Sequence, residues 1–185
     1  MVKILVIGDT HIPERAHEIP RQILDMIGGE HFDFVLCTGD LTDERVKELF
    51  ARLGKLYVVR GNMDFLNLPQ SAQIEADGFT LGLIHGDTVY PRGDERELAK
   101  EAQKRHVDIL ISGHTHRLAV SSTEIERRKV LLIDPGSATG VWGGGPASGI
   151  PSFVILEIKR NQVIVTSFEL VGESLRKSKY VFEKI

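Results

Sequence analysis

Five short polar clusters each follow an apolar run: Asp9 and His11; Asp40; Asn62 and Asp64; His85 and Asp87; His114 and His116. Carboxylate, amide and imidazole are side chains that bind hard and borderline divalent cations. The last cluster ends the stretch Asp108-Ile109-Leu110-Ile111-Ser112-Gly113-His114-Thr115-His116. Ile109 to Ile111 reads as a buried strand that breaks at Gly113. An extended chain beyond it turns His114 and His116 to one side, because extended residues repeat every two. Two imidazoles on one rim make a half-site for a transition metal. Taken singly, each cluster has an ordinary explanation: Asp9 can cap a turn, and His85 can be a satisfied loop histidine. Taken together they are harder to dismiss, since stability does not require such groups at every strand end on one side. No cysteine belongs to the clusters, which argues against a structural zinc site of the thiolate kind. The candidate ligands outnumber the roughly four to six that one ion takes. Two ions about 3.5–4 Å apart and sharing a carboxylate would use them all. Such a pair polarises a phosphate and lowers the pKa of a bridging water.

The elements that must position these groups alternate. Val2 to Ile7 is the first strand, apolar enough to be covered on both faces. A helix follows from Pro20, with Ile23, Leu24 and Ile27 as its stripe and Gly28-Gly29 as its stop. Phe34 to Cys37 is the second strand. Thr42 is placed to cap the next helix, whose first turn holds Asp43 and Glu44 and whose buried side is Val46, Leu49, Phe50 and Leu53. Leu56 to Val59 is the third strand. This βαβ series gathers ligand groups beyond the carboxyl ends of its strands. Ala72 to Ala76 and Phe79 to Ile84 then form a hairpin around Asp77-Gly78. Asp94 and Glu97 have capping-box spacing before a helix that runs to about Arg105. The tail reads as two strand pairs, Leu118–Thr123 with Lys129–Ile133 and Phe153–Ile158 with Val163–Leu170, and a last strand at Tyr180 to Phe182. Between them lies a glycine-rich loop from Asp134 to Pro146. The expectation is one domain over residues 1–185 and an α/β fold: a four-layer α/β/β/α sandwich of two facing mixed sheets flanked by helices.

The chain has 185 residues, 42% of them hydrophobic and 26% charged, with a net charge of -3. That suits one domain with a substantial core. It gives no signature for bulk nucleic-acid binding, although a local anion site is compatible with it. The single cysteine, Cys37, excludes a disulfide framework. No stretch approaches a membrane span, and Val2 to Ile7 is strand-like without a signal-peptide pattern, so a cytoplasmic protein is expected.

The order Asp-x-His, Gly-Asp, Gly-Asn, His-Gly and Gly-His-Thr-His resembles the calcineurin-like metallophosphoesterase superfamily over nearly the whole chain. Gly61-Asn62-Met63-Asp64 and Asp134-Pro135-Gly136-Ser137 are similar to its compact prokaryotic phosphodiesterase branch. Asp9 to Pro13, Asp108 to His116, Pro135 to Gly140 and Ile150 to Val154 also resemble the retromer's metallophosphoesterase-like subunit, a relative known mainly as a scaffold. The resemblance implies that Asp9, His11 and His116 bind one metal, that Asn62, His85 and His114 bind a second, and that Asp40 bridges both. A bridging hydroxide would then attack phosphorus in line, making the chain a dimetal-dependent phosphodiesterase for a small phosphate ester. Manganese is the favoured ion, with nickel, zinc and iron sharing the same ligand chemistry. Asp40, Asn62, Asp64 and His85 are the candidate catalytic residues.

Two positions depart from the superfamily pattern. The histidine usual after Gly-Asn is Met63, which neither transfers protons nor binds anions. Asp87 stands where the branch often has histidine, and could assist with protons or repel phosphate. Asp64 is weighed as a partner orienting a metal-bound histidine against a turn-forming aspartate. Asp134 reads as a turn former before Pro135-Gly136. Gly136, Ser137 and Thr139 line a phosphate pocket or fold the loop. Arg60 and Arg117 are candidate phosphate contacts, and Trp142 is a candidate contact for substrate or another subunit. The alternative to an enzyme is a metal-binding scaffold with a protein partner or a homo-oligomer, which exposed apolar residues around Ile12, Pro13, Val89 and Tyr90 would support. A phosphate-binding Rossmann domain is disfavoured, because the first loop lacks the glycine fingerprint and Asp9 places negative charge there.

Overall fold

The structure is a computed structural model, and it describes residues 1–184. In chain order its elements are β1 (Val2–Ile7), α1 (Arg21–Gly28), β2 (Phe34–Cys37), α2 (Glu44–Ala51), β3 (Lys55–Val58), β4 (Ser71–Ala76), β5 (Phe79–Ile84), α3 (Glu95–Arg105), β6 (Ile109–Ile111), β7 (Leu118–Ile125), β8 (Arg128–Pro135), β9 (Ser152–Lys159), β10 (Gln162–Val171) and β11 (Ser174–Glu183). One sheet runs β11-β10-β9-β1-β2-β3 and the other β4-β5-β6-β8-β7. β1, β2 and β3 are parallel, as are β5, β6 and β8. The remaining neighbours are antiparallel, so both sheets are mixed.

The two-residue period of a strand builds the layers. Ile4 and Val6 of β1 face the second sheet, where they meet Leu81, Ile109, Ile111 and Leu131. Leu5 and Ile7 face the other way, onto Ile23, Ile27, Val46 and Phe50 of α1 and α2. On the second sheet Ile109 and Ile111 point inward, while Leu110 packs with Leu98 and Ala102 of α3. The result is helices, sheet, sheet, helix: the expected four-layer sandwich. Each fully buried Leu, Ile or Phe contributes about 1.5–3 kcal/mol, so β1 and β6 are held on both faces where they end in polar loops.

The helices start as backbone chemistry requires, with two departures. Asp43, not Thr42, caps α2, accepting from the Arg45 amide. Thr42 has φ of 64°, and its hydroxyl donates instead to the Ile12 carbonyl at 2.6 Å. Asp94 caps α3 by accepting from the Arg96 and Glu97 amides. The return bond of a capping box is not made, because the Asp94 amide donates to the Pro91 carbonyl. β11 is ten residues long rather than three. Its first half is mostly charged or polar and exposed, as suits an edge strand, so it carries little hydrophobic signal.

At the far end of the sandwich, Asp108 gathers Arg128 at 2.8 Å, Lys184 at 2.7 Å and the Thr80 amide at 2.9 Å. Burial alone would raise its pKa, but the bonds from Arg128 and Lys184 outweigh it and hold the carboxyl below its ordinary value. Asp108→Ala should therefore destabilise the fold by about 1–3 kcal/mol, because the half-buried Thr80 amide, Arg128 and Lys184 all lose their acceptor. A depressed carboxyl contributes stability above its unfolded value near 3.8, lost as pH falls through the folded value. Urea unfolding of wild type and variant at neutral and acidic pH measures both effects; the gap between them should close in acid.

Candidate metal centre

The loops after β1, β2, β3, β5 and β6 all open at the same end of the sandwich. Two groups of side chains form there. Asp9, His11, Asp40 and His116 make one, and Asp40, His85 and His114 make the other, with the donor atoms of each group within 4.8 Å of one another. Asn62 joins the second group, its Oδ1 lying 3.0 Å from His85 Nε2. All seven expected ligands are thus brought together, and Asp40 is common to both groups. Asp40 Oδ2 lies 3.4 Å from His11 Nε2 and 3.3 Å from His85 Nε2. His11 Nε2 and His116 Nε2 face each other at 3.2 Å, and His116 Nε2 is 3.5 Å from Asp9 Oδ1.

These separations suit a divalent cation. Ligand bonds of about 2.0–2.2 Å arranged tetrahedrally put neighbouring donors about 3.3–3.6 Å apart. Asp9 Oδ1 and His11 Nδ1 are buried with no hydrogen-bond partner among the described residues, which is costly for a carboxylate unless a cation offsets it. Two of the other imidazoles, His85 and His116, are oriented for metal. His85 Nδ1 donates to the Thr38 carbonyl at 2.7 Å, and His116 Nδ1 to the Val141 carbonyl at 2.8 Å. A carbonyl only accepts, so the proton is fixed on Nδ1 and Nε2 is presented to the site.

The histidine pair is not arranged as the extended chain predicts. His114 and His116 have φ of 70° and 56°, both left-handed. They diverge, His114 beside His85 and His116 beside His11, with ring centroids 5.0 and 4.9 Å apart. One loop therefore feeds both groups. Asp9, His11 and Asp40 are left-handed too, at 50°, 47° and 50°. Non-glycine residues in this region store strain that the surroundings must hold, and such strain concentrates at functional sites.

Of the two roles weighed for Asp64, its hydrogen bonds fit the turn former: among the described residues it bonds no histidine. Its Oδ2 accepts from the Asp40 and Gly61 amides at 2.8 and 2.9 Å, and its Oδ1 from the Thr42 amide at 2.9 Å. With both oxygens so engaged, it ties the Asp40 loop to the Asn62 loop. Asp134 is the turn former expected, accepting from Gly136 N and from the Thr115 hydroxyl. Ser137 and Thr139 fold the loop, donating to the Asp9 and Thr10 carbonyls. Ile12 and Val89 are buried, so of the apolar cluster named for a scaffold surface only Pro13 and Tyr90 are exposed.

Three contributors escaped the sequence reading. Thr38 bonds His85 through its carbonyl and Asp9 through its hydroxyl. A Cβ on Gly61 would lie 2.1 Å from Asp40 Oδ1, and one on Gly143 would lie 2.4 Å from the His116 ring. Glycine beside a carboxylate or imidazole is the signal that could have found the last two, since only glycine lets backbone approach so closely.

Charge is shared unevenly. Burial opposes protonation of His85, but the Asp40 hydrogen bond and the charges of Asp9 and Asp40 prevail and raise its pKa to about 9. Burial, with His85 and Arg92 nearby, pushes His114 down to about 4. Burial likewise lowers His11, whereas Asp9 overcomes burial to raise His116. A proton on His85 must leave before its Nε2 can bind a cation. Apparent affinity for Mn2+ should therefore climb with pH by up to about tenfold per unit and level off near pH 9. Competition against a chelating dye across that range gives the slope, and a flat profile contradicts the assignment. In the metal-free protein the sign for stability is opposite: a raised histidine pKa stabilises fully below 6.5 and not above about 9.

Residues 2–161 match the model of the calcineurin-like phosphoesterase superfamily domain, and the chain belongs to that family. A probable metallophosphoesterase of Methanocaldococcus jannaschii, MJ0623, is 41% identical over 134 residues, which are 72% of this chain and 67% of the relative. Vps29 of Entamoeba histolytica is 34% identical; its zinc complex superposes with a TM-score of 0.85 over 98% of this chain and 99% of its own. Vps29 of Chaetomium thermophilum in complex with a cyclic peptide is 27% identical, with a TM-score of 0.84 over 100% of this chain and 98% of its own. The resemblance drawn from the motifs, to metallophosphoesterases and to the retromer subunit alike, is borne out.

Proposed function

We propose that the chain is a two-metal phosphodiesterase that hydrolyses a small phosphate ester. The observation carrying this reading is that Asp40 belongs to both ligand groups. One cation would be held by Asp9, His11, Asp40 and His116, the other by Asp40, Asn62, His85 and His114. Two divalent cations in these places supply charge against the phosphoryl oxygens and make water a nucleophile at neutral pH. Manganese suits the mixed oxygen and imidazole set, which nickel, zinc and iron share. The family shows a metallophosphoesterase; the pair of ions and the diester preference are this proposal's own.

The side chains act by position. Thr38 and Val141 carbonyls keep His85 and His116 turned inward. Asp64 fixes the Asp40 and Asn62 loops against each other. Hydrolysis joins a water oxygen to phosphorus as the ester bond on the opposite side breaks; the water's proton passes to solvent, and the departing alkoxide takes one from solvent to leave as the alcohol. Met63 offers that alcohol no proton. The exposed carboxylate of Asp87 disfavours a dianionic monoester more than a monoanionic diester. Both features favour diesters.

The test is hydrolysis of matched monoester and diester panels by protein loaded with one metal at a time, with Asp40→Asn alongside. Turnover of diesters by the Mn2+ form, absent in the variant, is the expected result. A second reading, a metal-binding scaffold, is favoured by likeness to Vps29 along the whole chain and by the peptide complex of one such relative. Two bound ions without turnover above the variant would select it.

A further inference from the structure

We propose that the mouth of this centre carries an aromatic platform, and that the diester it takes bears a planar heteroaromatic ring, as a nucleoside phosphodiester does. The inference rests on the phosphodiesterase reading above. Among the described residues three aromatic side chains are exposed: Phe65 and Tyr90 at 86% and Trp142 at 73%. The other nine aromatic residues are buried or half-buried. Large exposed rings mark binding surfaces when they share a rim, and each of these three lies on a loop that carries or holds a residue of the centre. Phe65 follows Asn62 by three residues, and Tyr90 follows His85 by five. Trp142 sits between Val141, whose carbonyl holds His116, and Gly143, whose backbone lies against the His116 ring.

The platform is braced. Arg15, on the loop beyond His11, donates to the Trp142 carbonyl at 3.1 Å. Arg92, on the loop beyond His85, donates to the Gly143 carbonyl. Two guanidiniums thus fix the segment that carries the indole and add positive charge beside it, which complements a phosphate. Asn62 is exposed and His114 half-buried, while the other five ligands are buried. Ligand approach is therefore from the side of the loop that carries Phe65. Rings for stacking next to cations for a phosphate are the chemistry that recognises a base joined to a phosphoryl group. The chain's net charge of -3 favours a small nucleotidic ester over a long polyanion.

Trp142 is the sole tryptophan, so indole fluorescence reports from the rim alone. The probes are a dithymidine phosphodiester and its abasic counterpart, identical at phosphorus. In metal-chelated protein the base-bearing probe should quench Trp142 at a concentration about tenfold lower than the abasic one. Tyr90→Ala and Phe65→Ala should each weaken the base-bearing probe's binding by about three- to tenfold, and metal content should stay at wild-type level. With Mn2+ bound, the ratio of kcat/KM for the two diesters should favour the base and shrink in both variants. Equal quenching by the two probes, or variants that leave the base-bearing probe's affinity unchanged, would overturn the platform and assign the rings to a protein partner. Selective quenching with neither diester cleaved would instead support the platform and remove the hydrolytic reading.

Discussion

On the two-metal proposal, Asp40→Asn should reduce the bound metal from two ions to one or none, and should lower hydrolysis at least about a hundredfold. Asp40 Oδ2 stands between His11 and His85, while Oδ1 accepts the Met63 amide at 2.8 Å. An asparagine can keep one of those oxygen contacts but loses the negative charge that two cations at close range need between them. The fold should persist, because the Asp40 amide still donates to Asp64. The variant also removes the main group sustaining the proton on His85, so that histidine should titrate lower than about 9 in the metal-free protein. Metal analysis, turnover and a histidine titration by NMR check three separate consequences. Retention of two ions at wild-type affinity would show that Asp40 does not link the sites.

Gly61→Ala should be nearly as damaging, although glycine has no chemistry of its own. A Cβ there would meet Asp40 Oδ1 at 2.1 Å and the Asp40 amide nitrogen at 2.5 Å. The second contact is with backbone, so no rotamer change relieves it. The β2 and β3 loops would have to separate, straining the bonds from the Asp40 and Gly61 amides to Asp64. Overpacking of this kind costs about 1–3 kcal/mol. Displacement of Asp40 should weaken metal binding by about ten- to a hundredfold, the range for groups that orient ligands. Urea unfolding with and without Mn2+ separates the two effects. A variant with wild-type affinity and stability would mean that the loops give way more easily than the contacts imply.

The architecture was legible wherever burial on both faces made a run continuously apolar. β1 and β2 read as strands because Ile4, Val6 and Leu36 face one core while Leu5, Ile7, Val35 and Cys37 face another. β11 was largely hidden, since Ser174 to Lys179 form a mostly exposed edge bonded to β10 that offers the core only Leu175. The seven candidate ligands were legible as residue types at strand ends. Their aim was not: His114 and His116 turn apart because both are left-handed, a backbone choice that spacing does not encode. The sequence left Asp64 open between a histidine partner and a turn former, because proximity shows nearness but not which donors arrive first; three backbone amides claim it. The Thr38 bond to His85 comes from a carbonyl, which any residue has, and Gly61 contributes by lacking a side chain, so neither role showed in the sequence.

Cys37 lies at the end of β2, wholly buried beside Leu5, Ile7 and Phe50, and burial pushes its thiol pKa up. A reagent that attacks thiolates should find nothing in the native protein and a single target once the sheet and its helices part. Alkylation kinetics would then time the opening of the core under each metal. A cysteine introduced at Phe65 could carry a fluorophore without first deleting the natural one.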